Sequence, residues 1–418
     1  MSVKPLFDEQ QQTAFDLVEF KTPPHLEGQV SGRWKHPELL SLALSLKATN
    51  FAIRGETGES CWARVLYTNR FFAILQPEVT RAGEHGGAQG IGIDLVTLKL
   101  YLTNASGQMD PQAVARAIGK KAGEAVDPYR FDVPPMARAS GVVDLKQGRH
   151  EDALRFEVNG GPFHWKNFHL SAVSGIVDWQ GQDLYLQDVK GVLHGGQVSG
   201  SAQFDFSPEV GTAFSFNGLA QEINLQPLMT DLANKTNRIE GRLSGAIVVT
   251  RANDRDPHSW QGRGRLGLRD GFIWEMPIFG VFSPVLNTLI PGLGNSRAKE
   301  ATADFVITNS VIESKNLEIH ATPMRMRYDM AVDFERRVDG RMEAEVLRDI
   351  PAVGFFLSKL FWPFTKLFEY KVTGTLDQPK TEPLYTIPKI LLMPLHPFKT
   401  FREMLPDDPK KPTEKPPQ

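Results

Sequence analysis

Few residues in this sequence have the types and spacing that chemistry requires. His164 and His169 stand in the stretch FHWKNFH, but no third ligand follows nearby, and a structural or catalytic metal usually needs three or more. Their odd spacing places them on opposite faces of a strand. We therefore predict surface or turn histidines and no metal site.

Other catalytic patterns are also missing. The stretches GGAQGIG (Gly86–Gly92) and GRGRLG (Gly262–Gly267) lack the Lys-Ser/Thr that completes a phosphate-binding loop. There is no Gly-x-Ser-x-Gly motif, and Cys61 has no plausible histidine partner. Glu343 and Glu345 share the polar parity of RMEAEVL, which indicates a solvated strand face. These observations predict a protein that is not an enzyme and needs no cofactor.

The composition describes a folded chain without strong charge. The chain has 418 residues, of which 41% are hydrophobic and 23% charged, with a net charge of −2. Nucleic-acid-binding proteins usually carry a large basic excess, so we expect no nucleic-acid partner. A single cysteine excludes an intramolecular disulfide. With 26 Phe against 7 Tyr, the sequence favours wholly apolar surfaces.

Alternating stretches separated by Gly, Pro and Asn recur along most of the chain, which predicts antiparallel β-structure. In GVLHGGQVSGSAQFDF the apolar parity holds Val198, Ala202, Phe204 and Phe206. In MRMRYDMAVDFE, which runs from Met324 to Glu335, the same parity holds Met324, Met326, Tyr328 and Met330. The pattern alone allows either a closed sandwich core or a long sheet with one open apolar face.

The predicted organisation has four parts. Residues 1–105 are rich in strands, and residues 106–135 form a helix and linker in which Asp110 caps the helix and Pro111 begins it. Residues 136–385 form a second strand-rich region with apolar helices near 277–292 and 350–369. Residues 386–418 form an amphipathic segment and a disordered tail rich in Pro and Lys.

Four stretches stand in the order typical of one family. They are GVLHGGQVSGSAQFDF, GRGRLGLRDGFIWEMPIFGVFSPVLNTL, ADFVITNSVIESKNLEIHA and YKVTGTLDQPKTEP. Over about Arg138 to Pro383 the chain resembles the C-terminal region of AsmA-like proteins, the AsmA, TamB and YhdP types of the bacterial envelope, within the bridge-like lipid transfer group. The resemblance implies an elongated, curved antiparallel sheet, a half-pipe or β-groove, with a few short helices capping its ends or edges.

The resemblance also implies a lipid function for the apolar parity. We expect the groove to be lined by Val198, Ala202, Phe204, Phe206, Met324, Met326, Tyr328 and Met330. The stretch FFLSKLFWPFTKLF supplies candidates for contact with a membrane or with the end of the groove. These are Phe355, Phe356, Lys359, Leu360, Phe361, Trp362, Phe364 and Lys366. The alternative for this stretch is a core helix that covers a sheet edge.

The expected function is passive transport of phospholipids between the inner and outer membranes, with acyl chains shielded in the groove. The expected partners are phospholipids, a membrane surface and envelope proteins at the groove ends. The expected location is the periplasm at the inner membrane, although this chain has no N-terminal membrane anchor of the kind found in the family. The alternative function is an assembly factor for outer-membrane proteins that pairs a sheet edge with a client strand.

Overall fold

The computed structural model describes residues 17–33, 36–145, 152–233, 236–289, 293–321, 324–346 and 366–386. These residues form 24 strands, and every pairing with a defined register is antiparallel. The described helices are few and short. The predicted fold class is confirmed: the chain is mostly β, with one antiparallel sheet and short helices.

The strands are numbered β1 to β24 in chain order. Their bounds are Val18–Phe20, His25–Arg33, His36–Ile53, Glu56–Thr68, Phe71–Arg81, Glu84–Gly87, Gly90–Asp94, Lys99–Gln108, Tyr129–Phe131, Met136–Asp144, Ala153–Gly160, Phe163–Trp165, Phe168–Gln180, Asp183–Leu193, Gly196–Asp205, Ala213–Asn224, Glu240–Asn253, Asp256–Phe272, Ala298–Thr308, Val311–Ala321, Met324–Asp333, Val338–Val346, Lys366–Gly374 and Pro379–Thr386. The helices α1 to α5 are Pro111–Ile118, Lys120–Val126, Leu225–Ala233, Pro277–Gly280 and Ser283–Leu289.

The chain divides into two compact units. Unit 1 comprises residues 1–237, 242–264 and 307–310, and unit 2 comprises residues 238–241, 265–306 and 311–418. Within unit 1, β8 pairs directly with β10. The strands on both sides of the predicted linker at 106–135 therefore belong to the same unit.

Local sequence explains where the elements begin and end. The side chain of Asp110 accepts a hydrogen bond from the backbone N–H of Gln112, and Pro111 follows at the first turn of α1, as predicted. The turn between β14 and β15 is formed by His194 and Gly195, whose φ angles are 47° and 78°. Two consecutive positive φ angles match the twist of a two-residue hairpin.

Unit 2 has a closed hydrophobic core. In its strands β20 to β23, cross-strand partners place Ile319, Met326, Ala344 and Phe368 in one row. All four side chains are buried. The helical segment predicted near 277–292 is present as α4 and α5, and its Phe282 is also buried. Unit 2 therefore has an apolar sheet surface that protein atoms cover.

The helix predicted over 350–369 is wrong at its C-terminal end. Residues 347–365 lie outside the described residues, but Lys366 begins β23. The reason is the alternation of the following residues: Phe368 and Val372 are buried, and the polar Lys371 between Tyr370 and Val372 is exposed. A period of two residues fits a strand that lies on a core.

Candidate functional site

The predicted lining residues of β15 lie on one face of the sheet in unit 1. Residues directly opposite each other on neighbouring strands share a face. Phe204 lies opposite Leu184 of β14 and Phe214 of β16, and Ala202 lies opposite Leu186 and Phe216. Apolar residues therefore meet apolar residues on both sides of β15.

The row through Phe204 continues across unit 1 without a polar member. We call it the apolar row, and the side of the sheet that carries it the apolar face. Following the cross-strand partners from β3 to β17, its members are Leu44, Val65, Ile74, Ile91, Leu102, Gly141, Leu154, Trp179, Leu184, Phe204, Phe214 and Ala252. Sequence analysis identified only the β15 member of this row.

A second apolar row runs beside the first. It passes through Ala202, and its members are Ala105, Ala139, Phe156, Val177, Leu186, Ala202, Phe216 and Val249. Val198 lies opposite Gly191 and Ala220 in a further row of small or apolar residues. The apolar face is therefore several side chains wide.

On β11 to β16 the opposite face of the sheet carries polar pairs. Its side chains bond to one another: the Asn217 amide donates to Ser201 Oγ at 2.5 Å, and Arg155 Nη1 lies 3.8 Å from Asp178 Oδ2. Gln203 Nε2 approaches the Tyr185 hydroxyl at 3.5 Å. Over β11 to β16, one side of the sheet thus carries polar pairs and the other side carries the apolar rows.

The apolar face of unit 1 remains partly open to solvent. From Leu44 to Phe214, every member of the apolar row keeps part of its surface exposed. Trp179 is 38% exposed and Phe206 is 44% exposed, and their rings stack with centroids 5.9 Å apart. A second packed layer would bury such side chains, so the described residues do not form a complete layer over this face.

The predicted lining residues of β21 have a different environment. Met324 and Met326 are 0% exposed and Tyr328 is 1% exposed. The rings of Phe279 and Phe282 pack against the Tyr328 ring with centroids 5.5 and 6.2 Å away. The assignment of Met324, Met326 and Tyr328 to an open groove is therefore wrong for this structure, because protein atoms bury all three side chains, and Phe279 of α4 and the adjacent Phe282 pack on Tyr328. Met330 is half-buried.

Burial has a chemical consequence for Tyr328. Among the described residues, its hydroxyl donates to the thioether of Met326, with an O–S distance of 4.0 Å. Burial raises the pKa of the Tyr328 phenol far above its usual range, because a phenolate there would have no solvation. The residue therefore acts as a neutral core side chain.

Most of the predicted membrane-contact residues cannot be placed. Phe355, Phe356, Lys359, Leu360, Phe361, Trp362 and Phe364 lie outside the described residues. Lys366 is the first residue of β23. Their contact with a membrane stays a prediction.

The two histidines have a different relation from the one predicted. His164 of β12 lies directly opposite His169 of β13 in a hairpin, and the rings meet edge to face at 4.7 Å. They therefore share a face, because a tight turn separates them. His194 Nε2 lies 2.8 Å from Asp231 Oδ2 of α3. In the described parts of the chain, no three His, Cys, Asp or Glu side chains are arranged to hold a metal ion.

The glycine-rich stretches are parts of strands. Gly86 and Gly87 lie in β6, Gly90 begins β7, and Gly262–Gly267 lies within β18. On the polar face of unit 2, Glu345 forms an ion pair with Arg325 at 2.6 Å. Glu343 and Glu345 are half-buried, so the face predicted to be solvated is only partly exposed.

Comparison of the chain with protein-family models, with curated proteins and with solved structures finds no match. Within the described residues, no helix combines the length and the apolar character that a membrane crossing needs.

Proposed function

We propose that the apolar face of unit 1 binds the acyl chains of phospholipids and guides them between the membranes of a bacterial envelope. One observation carries this proposal. The apolar row continues from β3 to β17, and its side chains keep part of their surface exposed from Leu44 to Phe214. Large contiguous apolar surfaces on soluble domains usually mark a binding site.

The proposed mechanism is passive. An acyl chain exposed to water costs about 0.8 kcal/mol per CH₂ group, whereas a chain that moves from a bilayer to the apolar face keeps apolar surroundings. The absence of polar members in the apolar row therefore removes the main barrier to movement along it. The headgroup stays in water beside the sheet, and the step needs no catalytic residue and no cofactor.

The resemblance to AsmA-like proteins supplies the biological setting of this proposal. It favours a periplasmic location at the inner membrane, envelope proteins as partners at either end, and a role in outer-membrane biogenesis. These assignments rest on sequence resemblance, whereas the acyl-binding face rests on the cross-strand register of unit 1.

The first test is lipid carried through purification. The full chain is expressed in a bacterial host and purified in mild detergent, and bound phospholipid is measured by native mass spectrometry and by lipid extraction. Phe204→Asp places a charge on the apolar face, and Gln203→Asp places the same charge on the opposite face of the same strand. We expect lipid in the wild-type chain and in Gln203→Asp, and loss of lipid in Phe204→Asp. A lipid-free wild-type chain, or equal lipid in both variants, would contradict the proposal.

One observation favours a second candidate function, strand pairing with a client protein. Among the described strands, β2 pairs only with β3, and all nine of its residues are exposed. An edge strand of this kind can add another strand through backbone hydrogen bonds. Gln29→Pro would remove a backbone donor from β2. Loss of client assembly in this variant, with lipid binding unchanged, would favour the assembly function over transport.

A further inference from the structure

The connection between β7 and β8 carries unusual residues for a turn. It consists of Leu95, Val96, Thr97 and Leu98, although Gly, Asn, Asp, Ser and Pro usually dominate such turns. Leu95 is 41% exposed, Val96 is 62% exposed and Leu98 is 40% exposed. Three large aliphatic side chains therefore face solvent where polar residues would serve the backbone equally well.

The neighbouring chain extends this aliphatic surface. Leu145, just beyond β10, is 47% exposed, and its backbone N–H donates to the carbonyl of Leu98 at 2.8 Å. The backbone N–H of Leu95 donates to the carbonyl of Arg70, in the turn between β4 and β5, at 3.0 Å. We call Leu95, Val96, Leu98 and Leu145 the aliphatic tip.

Hydrogen bonds to the Asp94 side chain hold the turn of the aliphatic tip in place. Asp94 Oδ1 accepts hydrogen bonds from the backbone N–H groups of Val96 at 2.8 Å and Thr97 at 3.1 Å. These bonds fix the turn and satisfy two of its donors. The exposed aliphatic groups are thus presented by an ordered turn.

The aliphatic tip is continuous with the apolar face of unit 1. Leu100 lies opposite Ile93 and Val143. Leu98 and Leu145 each lie two residues from Leu100 and Val143 along the chain. Residues two apart on a strand lie on the same face, so the apolar face continues toward the aliphatic tip. An acyl chain at the tip would meet apolar side chains in the direction of the sheet.

We propose that the aliphatic tip inserts into the boundary between headgroups and acyl chains of a phospholipid bilayer that contains anionic lipid. Its four side chains are aliphatic and sit on narrow connections. Stable protein interfaces instead bury about 800 Å² on each partner and use Trp, Tyr and Arg as anchors. A fluid bilayer needs no complementary shape, only apolar side chains that reach its acyl region.

Nearby charge determines the type of bilayer. Arg70 is exposed beside the tip, and its carbonyl bonds to Leu95. The Asp94 carboxylate beside the tip accepts hydrogen bonds from the turn amides. The positive charge of Arg70 beside an inserting apolar group favours membranes with anionic headgroups.

The test uses the full chain and vesicles of phosphatidylcholine with about one third phosphatidylglycerol. The double variant Val96→Asp with Leu98→Asp should reduce vesicle affinity at least about tenfold, since two inserting side chains become charged. Aspartate tolerates the positive φ of 55° at Leu98 better than leucine does, so folding should be retained. The matched control is Ile118→Asp on α1, where the native side chain is 69% exposed. Unchanged affinity in the double variant, or a wild-type chain that does not bind, would overturn the proposal.

A second measurement reports insertion directly. Val96→Cys and Ile118→Cys are each placed in a Cys61→Ser background and labelled with an environment-sensitive dye. A blue shift on vesicles at position 96 and none at position 118 is expected, and the reverse would overturn the proposal. Vesicles of pure phosphatidylcholine should bind more weakly, and equal binding would overturn the requirement for anionic lipid.

These results are separable from those on lipid carriage. Insertion of the tip does not require that unit 1 carry lipid, and only the passage of acyl chains from tip to apolar face rests on the proposed function. A chain that binds vesicles through the tip but purifies without lipid would contradict the proposed function alone. A chain that carries lipid but binds vesicles equally with and without the intact tip would contradict this inference alone.

Discussion

Alanine substitutions at Met326 and Phe204 should distinguish a covered apolar surface from an open one. Both side chains belong to apolar rows, but Met326 is 0% exposed in unit 2, whereas Phe204 is half-buried in unit 1. Met326→Ala removes core contacts and leaves a cavity, which together cost about 2–5 kcal/mol. Phe204→Ala leaves no closed cavity. It removes two cross-strand pairs, with Leu184 and Phe214, each of which contributes roughly 0.2–1 kcal/mol.

The assay is urea unfolding of delipidated protein, followed by circular dichroism and tryptophan fluorescence. We expect the free energy of unfolding to fall by about 2–5 kcal/mol for Met326→Ala and by about 0.5–2 kcal/mol for Phe204→Ala. Val306→Ala, which changes an exposed side chain of β19, should stay within about 0.5 kcal/mol of wild type. Added phospholipid should stabilise the wild-type chain more than Phe204→Ala, because a ligand that binds only the folded state raises its stability.

One result would refute this reasoning. If Phe204→Ala costs as much as Met326→Ala in delipidated protein, the apolar face of unit 1 is covered by protein in solution. The face would then be a core, and the open surface required for acyl chains would not exist. Equal stabilisation of wild type and Phe204→Ala by phospholipid would place lipid binding elsewhere on the chain.

Three further predictions concern charge and reactivity. The hydrogen bond from the Arg265 guanidinium lowers the pKa of Asp304 below its usual 3.8. The ion pair therefore stabilises the folded chain fully above pH 3.8, and this stabilisation is lost as the pH falls through the lowered pKa of Asp304. The difference in urea midpoint between wild type and Asp304→Asn should shrink accordingly. Burial raises the pKa of the Cys61 thiol, so disulfide reagents at mildly alkaline pH should react with it more slowly than with free cysteine, and quickly in urea. His194→Ala removes the nearer of the two histidines beside the Asp231 carboxylate, and hydrogen exchange in α3 should become faster.

Local sequence predicts individual strands and helix ends because their determinants are close together. The alternation of β15 is regular, so its apolar parity was correctly identified, and the cap at Asp110 lies one residue from the proline that begins α1. Each of these features depends on neighbours within one turn or one strand.

The extent of the apolar row was hidden by bulges. In β14 the register shifts between Leu186 and Val189, and Asp188 adopts a φ of 50°. The apolar parity therefore changes from even positions to odd positions within a single strand. β16 has a comparable shift between Ala220 and Ile223. A search for strict alternation divides such strands, whereas a search that allows one extra residue would recover them.

The cover over Met326 could not be predicted from its strand. An alternating apolar stripe has the same sequence whether helices, a second sheet or lipid lies against it. Phe282 is part of the helical segment near 277–292 that the sequence indicated, but its contact with Tyr328 joins residues that are far apart in the chain. Only the tertiary structure determines which stripe receives a protein cover.

The connectivity of the strands bears on how the protein is made. From β13 to β17 each strand pairs with the strand synthesised immediately before it. As the chain leaves the ribosome, every new strand in this stretch finds its partner already present, and only the local connection must close, which before β17 includes α3. This part of the sheet can therefore form by the addition of one strand after another at the same edge. For the same reason, loss or duplication of a hairpin during evolution would change the number of strands while leaving the pairing of the others intact.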